Sequence, residues 1–299
     1  MDRLAAMRAF VEIVDRGSLT AAAEALDRSQ PTMVRILAAL ESHLGARLLH
    51  RTTRRMSLTP EGRDYLERCR RILADVDEAE RAVAQDEAEP RGEIRITAPV
   101  QFGQLHIAPA LSGFLQRYQQ VRVDLVLLDR NVDLVEEGFD LALRIGHLAD
   151  SSMIAIRVGE VHRVVCASPE LLLKTGVPDH PQSLCELPCI RLHNLPRASE
   201  WQFQERGREF SVKVKGRLDT NQIAAARTAC AHSVGFGQFL SYQIQQLIGE
   251  GRLAPVLETF QPGPFPVSLI YPGSRLVSNR SRVMQNWLKD SLRESRAIQ

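Results

Sequence analysis

Helix starts and stops follow one another in quick succession through the first sixty residues, leaving almost no chain for loops. Met7, Phe10, Val11 and Val14 recur at the spacing of an apolar helical stripe, which ends at Gly17. Ser18 then offers a capping hydroxyl to a second helix over Leu19 to Leu26, where Ala21, Ala22, Ala23 and Ala25 permit close helix contact. Ser29 caps a third helix, with Pro31 in its first turn, where a missing N–H costs little. Met33, Leu37, Leu40 and Leu44 form the buried stripe of that helix and leave Gln30, Thr32 and Arg35 outward near its start. This is a helix-turn-helix, and the outward positions are those that reach base edges when such a helix enters a major groove.

The following segment, Arg47 to Leu58, carries Leu48, Leu49, Met56 and Leu58 around the polar turn Arg51-Thr52-Thr53-Arg54-Arg55. A two-stranded wing fits it, with the arginines on phosphate or in a minor groove. A solvated basic hairpin is the alternative, and the neighbouring helix-turn-helix favours the wing. Thr59 and Pro60 cap and begin a long helix reaching about Glu87. Its residues Leu66, Cys69, Leu73, Val76 and Val83 make a narrow apolar seam of the kind that meets a partner helix, here read as a dimer contact. Net charge is only +2, so nucleic acid has to be met by a local patch. Such a patch exists: no acid occurs between Ser42 and Pro60, whereas Asp75 to Glu89 is strongly acidic.

Beyond residue 90 the pattern changes. Strands are expected at Ile94 to Thr97, Val121 to Leu128 and Asp140 to Ile145, with a helical stretch from Leu105 to Tyr118. Strands alternating with helices argue for a mostly parallel sheet in an α/β domain. Ligands of such sheets bind beyond the carboxyl ends of the strands. Those ends place Pro99, Val100, Gln101, Phe102, Arg144, Ile145 and Gly146 at a candidate effector site. Arg144 offers a bidentate donor suited to a carboxylate, with a structural pairing to Asp129 as the alternative.

The run SLTAAAEALDRSQPTMVRILAALESHLGARLLHRTTRRMSLTPEG closely resembles the winged helix-turn-helix of LysR-type transcriptional regulators. The likeness extends through GEIRITAP, HIAPALSGFLQRYQQVRVDL, LVEEGFDLALRIG and GRLAPVL, and so covers essentially the whole chain. It implies an α/β protein overall: an N-terminal winged helix-turn-helix (1–59), a linker and dimerisation helix (60–90) and a two-lobed effector domain of periplasmic-binding-protein type (91–299). Lobe I would comprise 91–166 and 268–299, and lobe II 167–267. Lobe II would bring Leu192, His193, Asn194, Asn221 and Phe236 to the cleft, although Asn221 also suits a helix cap and His193 a plain loop. The implied partners are a double-stranded DNA operator, a small-molecule effector such as a carboxylate or aromatic compound, further copies of the chain in a dimer or tetramer, and RNA polymerase. The DNA contacts carried over are Ser18, Ser29, Gln30, Pro31, Thr32, Arg35, Arg51, Thr52, Arg54 and Arg55. Val34 and Ile36 stand where the family often has serine and glutamine, and an apolar side chain there suits a thymine methyl group.

Other chemistries lack their signatures. GxSxG, HExxH, P-loop and GxGxxG motifs do not occur, so no enzyme, cofactor or metal is expected. Five scattered cysteines without a CxxC pair fit buried thiols, with thiol redox sensing as the rival mechanism. No apolar run is long enough to span a membrane and the N-terminus lacks a signal-peptide layout, which points to the cytoplasm.

Overall fold

A computed structural model describes every residue except 1, 52–55, 84–88, 148–152, 194–198, 274–277, 296, 297 and 299. The chain divides into two units, Met1–Ala88 and Glu89–Gln299. In the first, α1 (Arg3–Arg16), α2 (Leu19–Ala25) and α3 (Gln30–Leu44) precede strands β1 (Leu49–Arg51) and β2 (Met56–Leu58) and the helix α4 (Pro60–Val83). Ser18 and Ser29 cap α2 and α3 through their hydroxyls. Gly17 and Gly45, at φ 64° and 66°, close α1 and α3 in the left-handed region that a side chain would strain. β1 and β2 pair antiparallel with Leu49 opposite Leu58, which is the expected wing.

Two details of the N-terminal core depart from the pattern read in the sequence. The buried face of α1 is Ala6, Ala9, Phe10 and Ile13, with Met7, Val11 and Val14 on its flank, because alanine fits the closest approach of helices. Leu44 lies in the last turn of α3, past the core, and is 38% exposed.

A larger correction concerns α4. Leu66 and Cys69, expected at a dimer contact, are buried in the core of their own unit, and the Tyr65 ring lies 5.9 Å from that of Phe10. Ion pairs Arg8–Asp77, at 2.7 Å, and Arg70–Asp15 fasten α4 against α1. Leu73 and Val76 are half-buried, Ile72 is exposed, and the side chain of Val83 lies outside the described residues. Apolar spacing tells which residues share a helix face, and the first half of this face is covered by the unit's own α1.

The second unit opens with β3 (Gly92–Ala98), α5 (Val100–Phe102), a π-helical turn at Gly103–Ile107, α6 (Ala108–Arg117), β4 (Val121–Leu127), β5 (Leu141–Ile145) and β6 (Met153–Val161). There follow β7 (Arg163–Ala167), α7 (Pro169–Thr175), β8 (Pro188–Leu192), β9 (Glu200–Glu205), β10 (Arg208–Lys213), β11 (Lys215–Thr220), α8 (Ile223–Ala231), β12 (Phe236–Leu240), α9 (Ser241–Gly249) and β13 (Ala254–Val256). β14 (Phe265–Pro272) and α10 (Asn279–Arg293) complete it. One five-stranded sheet has the order β4-β3-β5-β14-β6 and the other β11-β8-β12-β7-β13.

Each sheet is mixed rather than mostly parallel. β14 runs antiparallel to β5 and β6, and β7 antiparallel to β12 and β13, because these strands arrive by crossing from the other lobe. The crossings also lie away from residues 166 and 268. Strand pairing assigns Arg163 to Cys166 to the second lobe and Phe265 to Val267 to the first, so the chain crosses at His162 and returns between Val256 and Phe265. A single residue separates β6 from β7, which leaves no compositional break to read. Reciprocal bonds pin this crossing: Ser241 N–H donates to the His162 carbonyl at 2.8 Å, and His162 N–H donates to Ser241 Oγ at 3.3 Å.

Candidate nucleic-acid interface and ligand cleft

On α3 the exposed side chains near the N-terminus are Gln30, Pro31 and Arg35. Thr32 is held back: its hydroxyl lies 2.8 Å from that of Ser29, whose Oγ also accepts from the Thr32 backbone N–H at 3.4 Å. Ser18 Oγ similarly accepts from Ala21 N–H at 3.5 Å. The two serines therefore organise helix ends, with backbone N–H groups of each first turn nearby to meet phosphate. Val34 is half-buried and Ile36 packs against the core, so Ile36 is withdrawn as a partner for a thymine methyl.

Glu41 ties this helix to the wing. Its Oε1 accepts from the backbone N–H of Leu48 at 2.8 Å and of Leu49 at 3.2 Å. Thr59, buried, donates its hydroxyl to the Arg47 carbonyl at 2.7 Å and accepts from Gly62 N–H at 2.8 Å, joining the wing to α4. A Cβ on Gly62 would fall on the Leu48 carbonyl, which explains a glycine inside a helix. Arg47 and His50 are exposed at the base of the wing. Arg51 closes β1, whereas Thr52, Arg54 and Arg55 lie outside the described residues.

In the second unit, the residues past β3 split into two groups. Pro99 and Val100 are half-buried, and Val100 N–H donates to Asp129 Oδ1 at 3.0 Å. Gln101 and Phe102 are buried, and Gln101 Oε1 has no hydrogen-bond partner among the described residues. The Phe102 ring sits 4.7 Å from His106 and 5.1 Å from Tyr242 of α9, a contact that bridges the lobes. Burial pushes the Tyr242 phenol above its ordinary pKa, with Asp129 adding to the rise, and burial lowers that of His106.

Arg144 is already engaged. Its guanidinium donates to the Val132 carbonyl at 2.8 Å and the Arg130 carbonyl at 3.2 Å, so it braces the loop after β4 and does not pair with Asp129. Ile145 and Gly146 are half-buried, and Gly146, at φ 115°, donates its N–H to the Pro266 carbonyl at 2.9 Å. In the second lobe His193 is exposed and Leu192 buried, while Asn194 lies outside the described residues. Asn221 is exposed just before α8, whose N-cap is Gln222. Phe236 opens β12 and is fully buried in the second lobe's core, so it is not a ligand contact; the Gly-Phe-Gly run reads as a loop, yet it begins a strand. The packing of Tyr242 on Phe102 and His106 is not legible in the sequence, since only the fold brings α9 against α5.

Four of the five thiols are buried, and Cys185 is half-buried. Burial raises the pKa of Cys69 to about 11 and of Cys189 to about 12, and Cys166 is raised by the adjacent Cys230 thiol and by burial. A protonated, buried thiol is a poor nucleophile towards peroxide.

Comparison with known proteins gives a consistent picture. The family described as "Bacterial regulatory helix-turn-helix protein, lysR family" matches residues 4–63, and that described as "LysR substrate binding domain" matches residues 87–293. An HTH-type transcriptional repressor of Pseudomonas aeruginosa is 34% identical over 100% of this chain and 95% of its own length. The HTH-type transcriptional regulator CrgA of Neisseria meningitidis is 30% identical over 95% of each chain. A solved structure of CrgA aligns with a TM-score of 0.62 at 29% identity, covering 96% of this chain and 98% of that one. The virulence activator AphB of Vibrio cholerae shares the fold, with a TM-score of 0.60 at 24% identity over 95% of this chain and 98% of its own.

Proposed function

Because the chain belongs to the LysR family of bacterial transcriptional regulators, we propose that α3 reads an operator through Gln30 and Arg35, that the wing grips phosphate, and that a ligand between the lobes of the second unit sets the output. The observation that carries the DNA reading is the start of α3. Arg35 and Gln30 are exposed there, beside a Ser29–Thr32 pair that fixes the first turn. Arginine is the residue that most often reads guanine, through its O6 and N7. The chain acts as a homo-oligomer, a dimer or tetramer, so paired α3 helices meet half-sites about one helical turn, or a multiple, apart. Effector binding shifts the population of lobe arrangements and so changes how the heads engage a bent operator and RNA polymerase. No helix among the described residues is long and apolar enough to cross a membrane, in keeping with a cytoplasmic regulator. No catalytic role is assigned.

The test is to select an operator from a randomised duplex library and compare the wild type with Arg35→Ala by fluorescence anisotropy at one fixed salt concentration. Operator affinity is expected to fall by about 1–3 kcal/mol, with random duplex nearly unaffected. Equal losses on both duplexes would make Arg35 a phosphate contact and overturn its base-reading role.

A further inference from the structure

One guanidinium is held at the junction of the lobes without a counter-charge. Arg163 is the first residue of β7, immediately past the crossing at His162. Its cross-strand neighbour is Leu240 at the end of β12, and Leu240 packs on the first lobe's core. Residues directly opposite in an antiparallel pair stand on the same face, so Arg163 is directed towards the first lobe as well. Its guanidinium carbon lies 4.9 Å from the ring centroid of Phe265, the first residue of the return strand β14. His147, two residues past β5, brings its ring to 6.5 Å from the same phenyl. Arg163 of the second lobe and His147 of the first thus meet on one aromatic side chain of the return strand.

Burial alone lowers the pKa of Arg163, with no carboxylate acting in the opposite direction. Among the described residues its guanidinium makes neither an ion pair nor a hydrogen bond. Arg95, Arg130, Arg157 and Arg191 of this unit hold carboxylates, and Arg144 holds two carbonyls. The nearby Glu160 is taken by Arg157 at 2.5 Å, and its other oxygen faces His162 at 3.9 Å. Arg163 is half-buried, and a cation–π contact with Phe265 recovers only part of the hydration that a partly buried charge loses. His147 is exposed, which leaves this end of the ring open to solvent.

We infer that Arg163 is the anion anchor of the interlobe cleft and that the effector of this chain is an organic carboxylate. The assignment rests on the effector-cleft reading given above and moves its anchor from Arg144 to Arg163. A planar fork of N–H donors receives the two oxygens of a carboxylate edge-on. Phe265 occupies one face of the fork and holds it in place, so little side-chain ordering remains to oppose binding.

Thermal unfolding of the full chain tests this with benzoate, succinate and pyruvate as probes, and with benzamide and succinamide as uncharged counterparts. At least one carboxylate, near 100-fold over its dissociation constant, is expected to raise the wild-type melting temperature by roughly 5 °C or more while the amides do not. Arg163→Met keeps the apolar stem and removes the charge. It should weaken that carboxylate by about 100-fold, while its ligand-free melting temperature equals or exceeds the wild type's. A Met variant that melts well below wild type without ligand would make Arg163 a packing residue and overturn the inference. An unchanged carboxylate response in that variant would also overturn it, leaving an effector domain with a different anchor. Equal responses to acids and amides would reject the carboxylate class while keeping a ligand cleft, and no response to any probe would reject the class together with the anchor.

Discussion

Glu41 offers the sharpest test of how the wing is held. Two buried leucines, Leu48 and Leu49, donate their backbone N–H groups to one carboxylate oxygen at 2.8 and 3.2 Å. Hydrogen bonds to a charged acceptor contribute about 1.5–3 kcal/mol each, and the longer one belongs at or below the low end of that range, so the pair is worth about 3 kcal/mol. Glu41→Ala removes the acceptor and leaves both donors in an apolar setting. A loss of about 3 kcal/mol raises the local opening constant roughly 100-fold, which hydrogen exchange at the Leu48 and Leu49 amides reads directly. Glu41→Gln retains an acceptor oxygen without the charge, and its exchange should fall between wild type and alanine. Operator affinity should drop for the alanine variant, because the wing no longer keeps a fixed angle to α3. If exchange at these two amides in Glu41→Ala stays within about 3-fold of wild type, the two bonds contribute less than about 1 kcal/mol and the clamp is refuted. If glutamine is as damaging as alanine, charge is not what holds the wing.

Two further outcomes follow from buried titratable groups. His106 is kept neutral by burial against Phe102 and Tyr242, so below its ordinary pKa of about 6.5 the unfolded chain binds a proton that the folded chain resists. Stability should therefore fall as pH drops below that value, and His106→Phe should flatten the decline in thermal melts; an equally steep decline in the variant would exclude His106 as its source. Of the five thiols only Cys185 is partly exposed, the other four being buried. A thiol reagent at neutral pH should modify Cys185 quickly and the rest only on unfolding, and peroxide should leave operator binding unchanged. Rapid modification of Cys166 or Cys230 in the native chain, resolved by peptide mass spectrometry, would restore the redox alternative.

Local signals were the legible ones. The caps at Ser18 and Ser29, the stops at Gly17 and Gly45 and the paired wing strands are each decided within a few residues by backbone geometry, and the structure has them where the sequence suggests. What failed depended on tertiary placement. Leu66 and Cys69 show the same spacing whether α1 or a second chain covers them. Phe236 sits between two glycines that suggest a loop, yet Gly235 is required because a Cβ there would lie 2.7 Å from the Pro188 carbonyl of the adjoining strand. Arg144 lies next to last in its strand, where a ligand contact is expected, but two carbonyls of the segment between β4 and β5 engage it. Arg163 follows a strand crossing that no composition change marks, so its lack of a counter-charge emerges only when both sheets are assembled.

The burial of Leu66 and Cys69 has a mechanical consequence. α4 runs for 24 residues, about 36 Å, and its first part is embedded in the same core as α3, the helix that carries Gln30 and Arg35. Head and shaft therefore turn as one stiff piece, like a key whose bit is forged to its stem. A turn of the embedded part of the shaft is shared by the bit, so a change in its direction becomes a change of grip on DNA.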